Sequence, residues 1–159
     1  MSIGGEGPAR RKLAVVTGAT SGIGLETARG LARAGFDLAL ACRNAEKASV
    51  TRAAISAESP GAAVEALQLD LASLASIRSF AAGLSERHGS VDLLLNNAGV
   101  FCDARRLTVD GFEMTMGVNF LGTYLVTRLL LPLLLRAGER GEAHIVTVSS
   151  AAAAYGRLR

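Results

Sequence analysis

The sequence predicts a doubly wound α/β fold built on a parallel sheet. Three observations carry this expectation. Apolar strands alternate with helical segments along the chain, and a glycine-rich turn joins the first strand to the first helix. The fourth strand, Val91–Leu95, is almost wholly apolar, as a parallel strand covered on both faces should be.

Lys12–Val16 reads as the first strand, and Ile23–Arg33 as a helix closed by Gly35. Asp37–Ala41 is the second strand. The helix Ala45–Glu58 follows and stops at Ser59-Pro60-Gly61. Val64–Leu69 is the third strand. Leu74, Ile77, Phe80, Ala81 and Leu84 then recur at helical spacing up to a break at Gly89. After the fourth strand comes a helical stretch over Asn119–Arg136, with Tyr124 expected in its core, and His144–Val148 makes the fifth strand. Residues 1–11 read as a flexible N-terminus and 12–159 as one domain. Ile145, Val146 and Val148 are apolar on both faces of a strand that strand order would place at an open edge, as in a fold cut short.

Composition narrows the classes. Half of the 159 residues are hydrophobic, which excludes a disordered chain. A formal charge of +3 is modest. The tract Pro8-Ala9-Arg10-Arg11-Lys12 has no aromatic residues interleaved, so it reads as a solvated terminus and not as a nucleic-acid surface. Cys42 and Cys102 form no metal-ligand pattern and no disulfide framework, so no metal site and a reducing, cytoplasmic compartment are expected. Met1 to Pro8 lacks the apolar stretch of a signal peptide. Leu121–Leu135 carries Arg128 and Pro132 and falls short of about 18 uninterrupted apolar residues, so no transmembrane segment is expected.

The chemistry starts at Thr17-Gly18-Ala19-Thr20-Ser21-Gly22-Ile23-Gly24. Strand, glycine-rich turn and helix together form a phosphate cradle. Gly18 permits the tight turn, Gly22 lets backbone N–H groups approach a diphosphate, and Gly24 allows close helix–strand packing. About 20 residues on, an acid would bind the ribose 2′-hydroxyl of NAD, whereas an Arg accommodates the 2′-phosphate of NADP. Cys42 occupies the acidic position and Arg43 follows it, which favours NADP(H). Asp70 after the third strand fits a helix N-cap or a ligand contact, and the two roles need not exclude each other. Asn96-Asn97-Ala98-Gly99 follows the fourth strand, at the edge where ligands bind in open α/β sheets.

Thr-Gly-x-x-x-Gly-Ile-Gly followed at this distance by Asn-Asn-Ala-Gly resembles the short-chain dehydrogenase/reductase family, and the likeness covers residues 12–159. It implies a Rossmann-type sheet, here truncated after the fifth strand, with NADP(H) as cofactor. The implied activity is hydride transfer between nicotinamide and a carbonyl or alcohol. On this resemblance Gly18, Thr20, Ser21, Gly22, Ile23 and Gly24 hold the diphosphate, and Asp70 with Leu71 meets the adenine. Asn97, Ala98 and Gly99 border the ribose. Val118-Asn119-Phe120-Leu121-Gly122 resembles the segment whose Asn holds a relay water, and Ile145 to Ser150 the strand ending in the catalytic Ser. Asn119 and Ser150, with Ser149 as its neighbour, are the implied catalytic residues.

Ala-Cys-Arg-Asn, Asp-Leu-Ala-Ser-Leu and Asp-Gly-Phe-Glu-Met look most like retinol-dehydrogenase-like members, which act on retinoid, steroid or other lipophilic substrates. Phe120 and Thr123 stand where that subgroup often has His. Oligomers through the Asn119–Arg136 helix are also implied. The family's general acid/base is a Tyr followed four residues later by a Lys, yet the only lysines are Lys12 and Lys47. Tyr155 with Arg159 lies too close to Ser150, and Arg cannot titrate as a relay Lys does. A non-catalytic NADP(H)-binding module or partner subunit is therefore the alternative.

Overall fold

A computed structural model describes residues 10–150. Among them five strands form one sheet: β1 (Leu13–Thr17), β2 (Asp37–Cys42), β3 (Val64–Gln68), β4 (Leu93–Asn96) and β5 (His144–Thr147). The order is β3-β2-β1-β4-β5 and every pairing is parallel. Between them run α1 (Gly22–Arg33), α2 (Ala45–Glu58) and α3 (Leu74–Arg87). A long final helix starts as α4 (Met114–Met116), widens to a π turn over Gly117–Gly122, and continues as α5 (Thr123–Gly138).

Alternation along the strands makes the sheet doubly wound. Leu13, Val15, Ala39, Ala41 and Leu94 pack against α3 and α5, through Ile77, Leu84, Leu130 and Leu133. Ala14, Val16, Leu38, Leu40 and Leu95 face the other way, onto Ala28, Ala32 and Ile55 of α1 and α2. Each parallel strand in the middle of the sheet is thus apolar on both sides; the fourth is apolar as expected but runs over Leu93–Asn96, and not Val91–Leu95, because Asp92 caps the Leu13 N–H ahead of it. Strand order reverses between β1 and β4, so a crevice opens beyond their carboxyl ends.

Acidic side chains close the opposite, amino-terminal edge. Buried Asp92 accepts the Leu13 N–H at 2.7 Å and the Arg10 Nη2 at 2.8 and 3.0 Å. Asp37 Oδ1 accepts both Arg11 Nε and the Ala63 N–H at 2.9 Å. Arg10 and Arg11, expected in a flexible N-terminus, are therefore anchored by charge pairing to Asp92, just before β4, and to Asp37 at the start of β2. Residues 1–9 lie outside the described residues.

The last helix departs from expectation in two ways. It runs unbroken over Met114–Gly138, 25 residues that include an 18-residue stretch with a mean hydropathy of 1.6, and so is long and apolar enough to cross a membrane. Pro132 does not end it. Its Val126, Leu130, Leu133, Leu134 and Ala137 are nonetheless buried against the sheet and α3. Tyr124, expected in the core, is 59% exposed, because Met116, Phe120 and Tyr124 repeat every four residues on the outward stripe. β5 is an edge strand among the described residues, with Ile145 and Val146 nearly half exposed, as strand order predicts.

Asp92→Ala strands the Leu13 N–H and breaks a partly buried ion pair, so urea unfolding should show a loss of about 2–4 kcal/mol. Arg10→Ala, truncating a side chain that is 51% exposed, should lose no more than about 1 kcal/mol. Equal losses would show that the ion pair, and not the backbone cap, holds this edge.

Candidate functional site

A cleft of about 670 Å³ lies at the carboxyl edge of the sheet. Of the residues expected at a cofactor site, Gly18, Thr20, Ser21, Ile23, Gly24, Arg43, Asp70, Leu71, Asn97, Ala98 and Gly99 all line it. Gly22 belongs to the same turn without lining the cleft.

The turn after β1 requires glycine. Gly18 and Gly22 adopt φ of +68° and +56°, in the left-handed region that side chains disfavour. Gly24 has a different reason from the expected helix–strand packing. A Cβ there would stand 2.3 Å from Asn97 Nδ2 and 2.6 Å from the Gly18 carbonyl oxygen. It makes room for Asn97, and so for the contact between the two motifs.

That contact centres on Thr17, which is 1% exposed. Its Oγ1 accepts the N–H groups of Asn97 and Ala98, each at 3.0 Å, and donates to the Leu95 carbonyl at 3.3 Å. Asn97 Nδ2 returns the tie by donating to the carbonyls of Thr17 at 3.0 Å and Gly18 at 3.3 Å. Neighbouring Asn96 points elsewhere and donates to Thr127 Oγ1 at 3.0 Å and Thr147 Oγ1 at 3.4 Å, joining β4 to α5 and β5. Sequence reasoning left Thr17 without a role; a Thr closing an apolar strand just before the glycines was the available signal.

Helix ends distinguish the cleft further. Asn44 caps α2 through the Lys47 N–H at 2.8 Å, and Ser73 caps α3 through the Ser76 N–H at 3.2 Å. Glu113 caps α4 by accepting from Thr115 and Met116, bonds that hold its carboxyl below the ordinary carboxylate pKa. In α1, Ser21 makes no side-chain cap and the first turn carries no acid. The positive end of that helix is left for an anion in the cleft.

Asp70 is not the helix N-cap; Ser73 is. Asp70 Oδ1 instead accepts the Ala72 N–H at 2.9 Å, shaping the turn after β3, while Oδ2 has no hydrogen bond among the described residues. Cys42 is buried, and burial pushes its thiol pKa up, so a neutral group stands where an acid would repel a phosphate. Arg43 and Lys47 line the same end of the cleft. Lys47 was considered in the sequence only as a relay base.

Asn119 does not line the cleft. Its Oδ1 accepts the Val100 N–H and its Nδ2 donates to the Val100 carbonyl, both at 2.8 Å. It therefore clamps the chain that leaves Gly99, with Val100 and Val118 on the cleft wall. Ser149 and Ser150 are exposed and follow β5 at the same edge of the sheet, just past Val148, which lines the cleft. Tyr155 and Arg159 lie outside the described residues.

An open parallel sheet with a glycine-rich first turn at its switch point defines a Rossmann-type nucleotide-binding domain. The chain belongs to the short-chain dehydrogenase family, whose sequence pattern matches residues 12–159. It is 46% identical to mouse (Mus musculus) polyprenol dehydrogenase over 91% of its own length and 43% of that protein's. To human (Homo sapiens) retinol dehydrogenase 13 it is 45% identical over 92% and 44% of the two chains. It thus spans less than half the length of these curated relatives. Among solved structures, an alcohol dehydrogenase from Thermococcus sibiricus complexed with 5-hydroxy-NADP is 32% identical with a TM-score of 0.76, covering 89% of this chain and 59% of that one. The Pseudomonas aeruginosa RhlG/NADP active-site complex is 32% identical with a TM-score of 0.75, covering 89% and 55%.

Thr17→Val keeps the shape of the side chain but leaves the Asn97 and Ala98 N–H groups unpaired. We expect a loss of about 1–3 kcal/mol in unfolding free energy, together with weakened nucleotide binding by titration. Unchanged stability would mean that these N–H groups find other partners.

Proposed function

We propose that the chain is the nucleotide-binding part of an NADP(H)-dependent short-chain oxidoreductase acting on a lipophilic carbonyl or alcohol of retinoid, steroid or similar kind. The observation that carries this is the uncapped N-terminus of α1, opening into a cleft whose far end holds Arg43. The first binds a diphosphate through backbone N–H groups, and the second takes a 2′-phosphate. The names of the retinol and polyprenol dehydrogenases and the NADP-bound neighbours support the cofactor and the substrate class.

When bound, NADP(H) supplies or accepts the hydride. Ser150 hydrogen-bonds the substrate oxygen and polarises it. Asn119 positions Val100 beside the reacting region and contributes to a proton relay. Asp70, with Leu71, borders the adenine, and Ala98 and Gly99 leave space for the ribose. The exposed stripe of Met116, Phe120 and Tyr124 supports a homo-oligomer contact on the Asn119–Arg136 helix. The free thiols of Cys42 and Cys102 suit a reducing, cytoplasmic compartment.

One observation favours a second reading for this polypeptide. Its only lysines are Lys12, at the closed edge of the sheet, and Lys47, on α2, so neither follows a Tyr by four residues near Ser150. NADP(H) binding without turnover, alone or beside a related subunit, is the alternative.

Arg43→Asp should weaken NADPH roughly 10- to 100-fold and leave NADH nearly unchanged by fluorescence titration. A uniform loss for both nucleotides would remove the 2′-phosphate assignment. The purified polypeptide, supplied with retinal and NADPH, should bind the nucleotide without oxidising it. Steady turnover would rule out the second reading.

A further inference from the structure

The two most exposed large hydrophobic side chains among the described residues are Phe101, at 89%, and Val109, at 82%. Both belong to the loop that joins β4 to the last helix, where Leu107 and Phe112 are exposed as well. The loop leaves and returns at one place. Asn119 grips Val100 through both groups of its amide, and Thr108 packs so closely on Gly117 that a Cβ there would stand 2.6 Å from Thr108 Cγ2. Gly117 and Asn119 share one turn of the π segment, so Phe101 and Val109 emerge from neighbouring points. The turn that carries Val109 is closed on itself. The Thr108 N–H donates to the Phe112 carbonyl at 2.8 Å, the Gly111 N–H to the Thr108 carbonyl at 3.0 Å, and Leu107 bridges to Glu113. The exposed side chains thus stand on a tied loop.

Its charges are sorted. Asp110 Oδ2 accepts the Leu74 N–H at 2.8 Å at the start of α3, and Glu113 is taken up by Thr115 and Met116. Arg105 and Arg106 are exposed, and their side chains make no hydrogen bond or ion pair among the described residues. Arg105 contributes only to the field that lowers the Glu113 pKa. Asp103 is the one acid of the loop that is not bound to a backbone N–H among the described residues. Apolar tips beside two guanidinium groups, with most of the acid turned onto helix ends, match the boundary of an anionic bilayer. Rings enter between headgroups and acyl chains there, and cations meet the anionic headgroups. A stable protein partner would take about 800 Å² from each side, more than one short loop offers.

We propose that the 101–112 loop docks the chain on an anionic lipid surface, with Phe101 and Val109 entering the bilayer interface and Arg105 and Arg106 on the headgroups. Val100, next to Phe101, lines the cleft, so a bilayer held by this loop meets the mouth of the cleft. Delivery of a lipophilic substrate from the bilayer is a consequence that rests on the function proposed above; the docking itself does not.

The test is co-sedimentation of the purified chain with vesicles of phosphatidylcholine, with and without about 30% phosphatidylserine, at low and at high salt. The variants are Phe101→Ser with Val109→Ser, Arg105→Gln with Arg106→Gln, and Val50→Ser as a control on α2, whose side chain is also exposed. Circular dichroism checks the fold of each. We expect the wild type to sediment with the phosphatidylserine vesicles and the apolar double variant to bind at least about tenfold more weakly. The arginine double variant should lose roughly tenfold at low salt and less at high salt, and Val50→Ser should bind as wild type does. A wild-type chain that leaves both kinds of vesicle in solution overturns the proposal. Wild-type binding by both double variants overturns it too, since the lipid contact would then lie elsewhere. Self-association of the wild type that the apolar double variant abolishes, without vesicle binding, overturns it in favour of a contact between copies. The assay holds neither nucleotide nor retinoid, so its failure is separate from failure of the oxidoreductase reading.

Discussion

The hydroxyl of Thr17 is the joint on which the site depends. Two N–H groups at the start of the loop after β4 converge on a single oxygen at the end of β1, and Asn97 answers with its own amide. β1 and β4 are also the strands between which the order of the sheet reverses. An open crevice at that point would otherwise leave both turns independent and mobile. The joint locks the glycine-rich turn after β1 to the Asn97–Gly99 turn after β4 while leaving the cleft itself open. Gly24 follows as a consequence: any side chain there would occupy the volume that Asn97 needs.

The two edges of the sheet are organised by opposite charges. At the amino edge Asp37 and Asp92 are spent on backbone N–H groups and arginines, which closes it. At the carboxyl edge, α1 keeps its first turn without a side-chain cap, and Arg43 has no charge partner among the described residues. A cap on α1 would add about 1 kcal/mol of stability. Its absence in the one helix that opens onto the glycine-rich turn is what makes that turn able to receive an anion.

Much of this was legible in the residues. Strand–helix alternation, the apolar fourth strand and the glycine spacing determine where backbone goes, because they act through local periodicity and φ. The cleft-lining residues followed, since their place depends on strand ends and not on side-chain partners. Long-range pairings were not legible. Nothing near Asp92 in sequence announces Leu13, and nothing near Asn119 announces Val100. The role of Asp70 was open for the same reason: Asp and Ser at residues 70 and 73 are both good caps, and only the backbone path decides that Ser73 takes the helix. Tyr124 was misplaced because it shares the outward stripe of the last helix with Met116 and Phe120, and an apolar stretch does not by itself show which stripe faces outward.

Cofactor binding and chemistry rest on parts of unequal strength. The cradle, Arg43 and the Thr17–Asn97 joint hang on β1, β2 and β4, which are flanked by neighbours on both sides and covered by helices on both faces. Ser150 follows β5, an exposed strand with one neighbour among the described residues, β4, to which the Asn96–Thr147 bond adds a side-chain tie. A perturbation that frees β5 would therefore displace Ser149 and Ser150 while leaving the cleft between β1 and β4 in place. The glycine-rich turn and its cleft thus rest on interior strands of the sheet, whereas the position of Ser150 depends on β5, which has one neighbour among the described residues.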